Sequence, residues 1–110
     1  NAGGAVDLLE MARVLSSHQF SRTLVLLFST GEEQGTLGVR SHLEQLSAPE
    51  LAAIKVAVNV DVIGYDANDD RVMELWHGGG PKSMVVTQMM SDTIRAYRLD
   101  LAPSIAPGCG

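Results

Sequence analysis

Two β-rich runs alternate with segments of helical periodicity along this chain. Residues 24–28 are wholly apolar, and residues 54–63 are rich in Val and Ile. Apolar runs of this kind are typical of strands buried on both faces, as in parallel sheets covered by helices. Apolar side chains recur at helical spacing over residues 3–16 and 36–46. This alternation predicts an α/β fold with three layers, in which helices flank a mostly parallel sheet.

The second half of the chain continues the same alternation. Ser47, Pro49 and Glu50 fit a capping box, which predicts the start of a short helix. We expect strands at 71–76 and 99–105, joined by a helix at 82–98. The predicted order is therefore helix, strand, helix, strand, strand, helix, strand, with an acidic loop over residues 65–70 and a short capped helix after residue 46.

The composition of the chain argues against several classes of protein. The chain has 110 residues, which indicates at most one domain. Its 8 basic and 13 acidic residues give a net charge of -5, which argues against binding to nucleic acid or to an anionic membrane. No apolar run approaches a membrane span, and no signal peptide is visible. A lone cysteine, Cys109, excludes a disulfide scaffold and a cysteine-based zinc finger, and its role stays open.

Three acidic residues follow the two main predicted strands. Glu32 and Glu33 come shortly after the first strand, and Asp61 closes the second. Ligands in open α/β sheets bind beyond the carboxyl ends of strands, so these carboxylates lie where chemistry is expected. Asp is depleted in strands, and an unpaired buried carboxylate is costly. A bound cation would remove that cost at Asp61.

Structural explanations exist for the same residues. Glu32 and Glu33 alone fit a solvated turn, and Asp61 alone fits a helix-cap partner or an ion pair. The aspartates of residues 65–70 lack the ligand spacing of a calcium loop. Residues 77–80, His-Gly-Gly-Gly, match the oxyanion-hole tetrapeptide of lipases and esterases, but no Gly-x-Ser-x-Gly follows. A glycine-rich turn between strand and helix explains that segment better.

Three segments, taken in order, resemble the co-catalytic zinc exopeptidases of the bacterial leucyl and streptomycete aminopeptidase type. Residues 1–10 are similar to the family's helix start, residues 22–41 to its strand, Glu-Glu turn and Gly-Ser-rich helix, and residues 59–64 to its Asn-Leu-Asp-Met-Ile-Gly strand end. The resemblance covers essentially the whole chain. It implies an incomplete zinc-exopeptidase-like domain over residues 1–110, the middle fragment of a peptidase domain.

The resemblance also assigns roles to the acidic residues. It implies two zinc ions sharing a water molecule, with Glu33 a ligand of one zinc and Asp61 a ligand of the other. Glu32 is then the general base and acid, and the substrate is a peptide with a free N-terminus. A secreted or periplasmic location follows from the resemblance alone.

Three further ligands of that family are expected outside the sequence. These are a bridging aspartate immediately before Asn1, a histidine further upstream and a histidine shortly after Gly110. We therefore expect a domain truncated at both ends, whose isolated chain binds zinc weakly, is inactive and self-associates through exposed edges. A carboxypeptidase, a single-zinc glutaminyl cyclase and a non-catalytic binding domain of the same fold remain alternatives.

Overall fold

The computed structural model describes residues 2–108, and the chain divides into two compact units, Asn1–Gly64 and Tyr65–Gly110. The expectations for Asn1, Cys109 and Gly110 lie outside the described residues.

The first unit contains three helices, α1 (Ala2–Leu15), α2 (Leu37–Gln45) and α3 (Ala48–Ala53). All three were predicted: α1 and α2 within one residue at each end, and α3 by its start alone, which the capping box indicated. The capping box at α3 is confirmed, because the backbone N–H of Ser47 donates to the Glu50 carboxylate at 2.7 Å. Among the described helices of the whole chain, none has both the length and the apolar character needed to cross a membrane.

The apolar spacing predicts an inward face of α1 formed by Ala5, Leu8, Leu9, Ala12 and Leu15, and the observed face agrees with it only in part. Gly4 is buried and Leu8 and Leu15 are half-buried, whereas Ala5 and Leu9 are exposed. The helix is therefore rotated toward its small residues. The close approach of Gly3 to the backbone of Ile63 explains this rotation, since a helix can approach a neighbouring backbone this closely only where it has no side chain.

Neither of the strands predicted at 24–28 and 54–63 is assigned as a strand. Both segments are solvent-exposed along most of their length, with Val25 at 66% and Val58 at 57% of full exposure. A parallel strand forms only by pairing with a neighbouring strand, and within residues 2–108 the paired strands are those of the second unit, Val72–His77 and Ala102–Pro107. The structure is thus mixed helix and sheet, compatible with an α/β fold, and the three-layer arrangement is not seen in it.

The second unit is a strand, helix and strand: β1 (Val72–His77), α4 (Pro81–Ala96) and β2 (Ala102–Pro107). The two strands pair in parallel with Leu75 opposite Ile105. β2 begins three residues later than predicted, because the chain first turns at Arg98, whose φ is 51°. The remaining predictions for this unit are confirmed within about one to two residues.

α4 packs against both strands and forms the core of the second unit. Leu75 of β1 and Ile94 of α4 are only 4% and 6% exposed. Two small polar side chains of α4, Thr87 and Ser91, are also buried there. They allow the helix to approach the sheet more closely than larger side chains would.

Candidate functional site

The Glu32–Glu33 pair occupies a tight turn that leads directly into α2. Gly31 before the pair has φ 70°, and Gly35 and Thr36 after it have φ 93° and 56°. Left-handed backbone of this kind is readily adopted by glycine and is unfavourable for threonine. The two glutamates are therefore enclosed by backbone conformations that reverse the chain on both sides.

Main-chain hydrogen bonds close this turn onto the first residues of α2. The N–H of Leu37 donates to the carbonyl of Gly31 at 3.0 Å, and the N–H of Gly38 donates to the carbonyl of Thr30 at 2.9 Å. The carbonyl of Glu32 accepts from both Gly35 and Thr36 at 2.9 Å. The first N–H groups of a helix normally lack internal partners, and here the turn itself supplies them.

The side chains of Glu32 and Glu33 are exposed on this turn. Within residues 2–108, neither carboxylate is assigned a hydrogen bond or a salt bridge. Both sit next to the N-terminal end of α2, where the helix dipole favours negative charge. The turn thus presents two ionisable oxygen ligands on a fixed backbone.

Asp61 is exposed and lies outside any strand, which corrects the expectation of a buried carboxylate within a strand. The desolvation argument for a cation at this position therefore does not apply in this structure. One carboxylate oxygen of Asp61 accepts the N–H of Val62 at 2.9 Å. Val62 has φ 45°, so a strained β-branched residue directly follows the aspartate. The kink bends the chain sharply after Asp61.

The segment after Asp61 lies against the start of α1. A Cβ added to Gly3 would lie 2.6 Å from the carbonyl oxygen of Ile63, so only glycine fits there. A groove of about 550 Å³ runs along this contact, lined by α1 residues up to Glu10 and by Ile63 and Gly64. The structure therefore brings the beginning of α1 to the Asp61 segment.

No group of three or more His, Cys, Asp or Glu side chains within residues 2–108 is placed to hold a metal ion. The chemistry of the carboxylates suits zinc, since Asp and Glu oxygens are among its usual ligands. A complete catalytic site needs about three protein ligands per zinc, and the described residues do not bring such a set together. Glu33 and Asp61 are thus single candidate ligands on separate segments of the first unit.

The other acidic and histidine candidates have local roles. The carboxylate of Asp66 accepts the N–H groups of Asp70 and Arg71 at 3.1 and 3.0 Å, so it stabilises its own loop. A ring nitrogen of His77 lies 2.9 Å from the carbonyl of Gly78. These contacts agree with the structural explanation of both segments.

Sequence reasoning missed the backbone features of the site. The spacing of Gly31, Gly35 and Gly38 matches neither a phosphate loop nor a dinucleotide fingerprint. Their spacing around two glutamates and a helix start is the signal that indicates a closed turn.

Comparisons with known proteins agree with the motifs. The sequence profile of peptidase family M28 matches residues 1–108. A "Probable zinc metalloprotease" of Pyrenophora tritici-repentis is 33% identical over 69 residues, which are 63% of this chain and 14% of that protein. Aminopeptidase YwaD of Bacillus subtilis is 36% identical over 64 residues, 58% of this chain and 14% of that protein.

The aligned part of the chain thus spans about one seventh of these relatives (14%). No solved structure matches significantly. The family match covers nearly the entire chain and confirms the resemblance to zinc exopeptidases. This chain belongs to peptidase family M28.

Proposed function

We propose that this chain is part of a three-layer zinc aminopeptidase domain that removes N-terminal residues from peptides. Glu32 is the general base, and Glu33 and Asp61 are ligands of two different zinc ions. The observation that supports this assignment is the closed turn of the first unit, which presents two adjacent glutamates without side-chain partners inside a family M28 match. The name of the relative aminopeptidase YwaD favours the same reaction.

Adjacent glutamates can take different roles because successive side chains on a turn point in different directions. When bound, zinc supplies Lewis acidity toward the scissile carbonyl and lowers the pKa of water toward about 7. Glu32 accepts a proton from the attacking water at its carboxylate and donates it to the leaving amine nitrogen. Its exposure on the turn leaves that carboxylate accessible to a substrate.

The test uses the protein at its natural full length. Purified enzyme is assayed on aminoacyl p-nitroanilides, with N-acetylated versions as the control for a free amine. We expect Glu32→Gln to lower kcat about 10²- to 10⁴-fold while the zinc content is unchanged. Glu44→Gln is the matched control, because Glu44 is an exposed glutamate of α2, outside the turn that carries Glu32. Turnover of Glu32→Gln within threefold of wild type would remove Glu32 from the mechanism.

The metal roles are tested by zinc content. Glu33→Ala and Asp61→Ala should each lower the zinc-to-protein ratio, whereas Glu44→Ala should leave it unchanged. Unchanged zinc in both site variants would contradict the ligand assignment.

We also propose that the 110-residue chain alone binds zinc weakly and does not hydrolyse peptides. The absence of a three-residue metal group from residues 2–108 supports this proposal. Isothermal titration with zinc is the measurement, and sub-micromolar affinity would overturn the proposal.

A further inference from the structure

The first turn of α2 touches the residues that precede the two glutamates. A Cβ added to Gly38 would lie 2.7 Å from the backbone nitrogen of Thr30 and 2.8 Å from its carbonyl oxygen. These are main-chain atoms, so no side chain can swing aside to make room. The same two residues are joined by the hydrogen bond from the Gly38 N–H to the Thr30 carbonyl.

The neighbouring glycine is needed for a different reason. Gly35 has φ 93° and nothing within 4 Å of an added Cβ, so its requirement is conformational. Gly38 lies inside the helix, where alanine is normally favoured over glycine by about 1 kcal/mol. Its presence there is explained by the contact with Thr30 and not by its backbone conformation.

We propose that Gly38 is a positioning residue for Glu32 and Glu33, because its missing side chain lets α2 close the turn that carries both glutamates. The inference rests on the proposed function of these two residues. A side chain at position 38 pushes Thr30 away from α2. This breaks the main-chain hydrogen bonds that join residues 30 and 31 to the first two residues of α2, and it displaces the two glutamates in the turn between these segments. Displacement of a catalytic group by about 1 Å can lower a rate about 100-fold.

The first measurement is amide hydrogen exchange on the wild-type chain. We expect the Gly38 amide to exchange more slowly than the Lys82 amide, which occupies the equivalent second position of α4. Of these two amides, that of Gly38 donates to a carbonyl of the preceding turn, the carbonyl of Thr30. Equal exchange at the two positions would show that the turn is open and would overturn the proposal without any variant.

The second measurement compares Gly38→Ala with Gly79→Ala. Gly79 has nothing within 4 Å of an added Cβ and no left-handed φ, which makes it the matched control. We expect Gly38→Ala to speed exchange at Leu37, and Gly79→Ala to leave it unchanged. In the full-length enzyme, Gly38→Ala should lower kcat about 10- to 100-fold with KM within about threefold.

The outcomes separate the two proposals. Wild-type enzyme without aminopeptidase activity would overturn the proposed function, and the exchange data would still report on the turn. Active wild-type enzyme whose Gly38→Ala variant keeps its kcat would overturn the positioning role of Gly38. If Gly38→Ala does not fold, the wild-type comparison of Gly38 with Lys82 still decides whether the turn is closed.

Discussion

The two units of this chain differ in how far they bury their apolar residues. In the unit that starts at Tyr65, one helix covers two paired strands, and Leu75 and Ile94 are buried between them. In the unit that ends at Gly64, Gly4 is the one residue of the described helices that is buried, and the two most apolar segments are exposed. A strand-helix-strand segment completes its own core, whereas strands that depend on distant partners do not.

The candidate site lies in the first unit, whose apolar segments are exposed. Its order comes from backbone contacts at glycines and from the turn that caps α2, and not from a buried apolar core. The four substitutions below test this contrast, in decreasing order of expected effect.

Leu75→Ala should lower the free energy of unfolding of the chain by about 2–5 kcal/mol, because Leu75 is almost fully buried between α4 and the sheet. Leu24→Ala is the control, since Leu24 is 52% exposed in the first unit, and it should change stability by about 0.5 kcal/mol or less. Urea titration measures both. Equal losses would show that the segment at 24–28 is buried in solution and would remove the contrast.

Gly3→Ala should destabilise the chain by about 1–3 kcal/mol, because the new methyl group collides with the Ile63 carbonyl. Helix propensity alone predicts the opposite sign, since alanine is favoured over glycine within a helix. Thermal unfolding of Gly3→Ala and of the open-space control Gly79→Ala decides between these two effects. A stabilised Gly3→Ala variant would mean that α1 does not contact the segment after Asp61.

Ser91→Ala should stabilise the chain by about 1 kcal/mol. The Ser91 hydroxyl is completely buried and has no hydrogen-bond partner within the described residues, and an unsatisfied buried hydroxyl is unfavourable. Thr87→Val is the comparison, because the Thr87 hydroxyl lies within hydrogen-bond distance of the Ser83 and Met84 carbonyls and donates its proton to them. Removing this hydroxyl should therefore destabilise the chain. Denaturant unfolding measures both changes, and a destabilised Ser91→Ala variant would contradict this account of the core.

Glu50→Gln should have the smallest effect and should show itself in the pH dependence of stability. Hydrogen bonds from Ser47 lower the pKa of Glu50 below its ordinary value in the folded chain. A lowered folded-state pKa stabilises the protein above the unfolded pKa of about 4.3, and this contribution is lost as pH falls through the folded pKa. The variant should therefore be less stable than wild type at pH 7 and more nearly equal to it at pH 3. Stability profiles that stay parallel between these pH values would argue against the capping role.

Local signals predicted much of the fold. The helices follow from apolar spacing and from the capping box, and the strand-helix-strand unit follows from spacing together with the glycine-rich turn at 77–80. The strands expected at 24–28 and 54–63 were not observed, because strand formation depends on partners that no local pattern contains. The inward face of α1 was predicted only in part: Leu8 and Leu15 are half-buried, but Leu9 is exposed and the closest contact with the neighbouring backbone is at Gly3.

The candidate site was predictable as a set of residue types and not as a geometry. The Glu32–Glu33 turn was located from its place after an apolar run, and its roles remain proposals. The left-handed conformations of Thr36 and Val62 had no signal, since neither residue favours them. The burial expected of Asp61 was wrong because it depended on the strand that is absent.

The prolines of β2 determine where further strands can join the sheet. The N–H groups of Ala102 and Gly108 donate toward β1, and alternate residues of a parallel strand face opposite neighbours, so positions 103, 105 and 107 face outward. Two of these are Pro103 and Pro107, which have no N–H, and that leaves Ile105 as the outward donor. Within residues 2–108, the β2 edge therefore offers one backbone donor to an incoming strand, which makes the outer edge of β1 the more favourable side for extending this sheet.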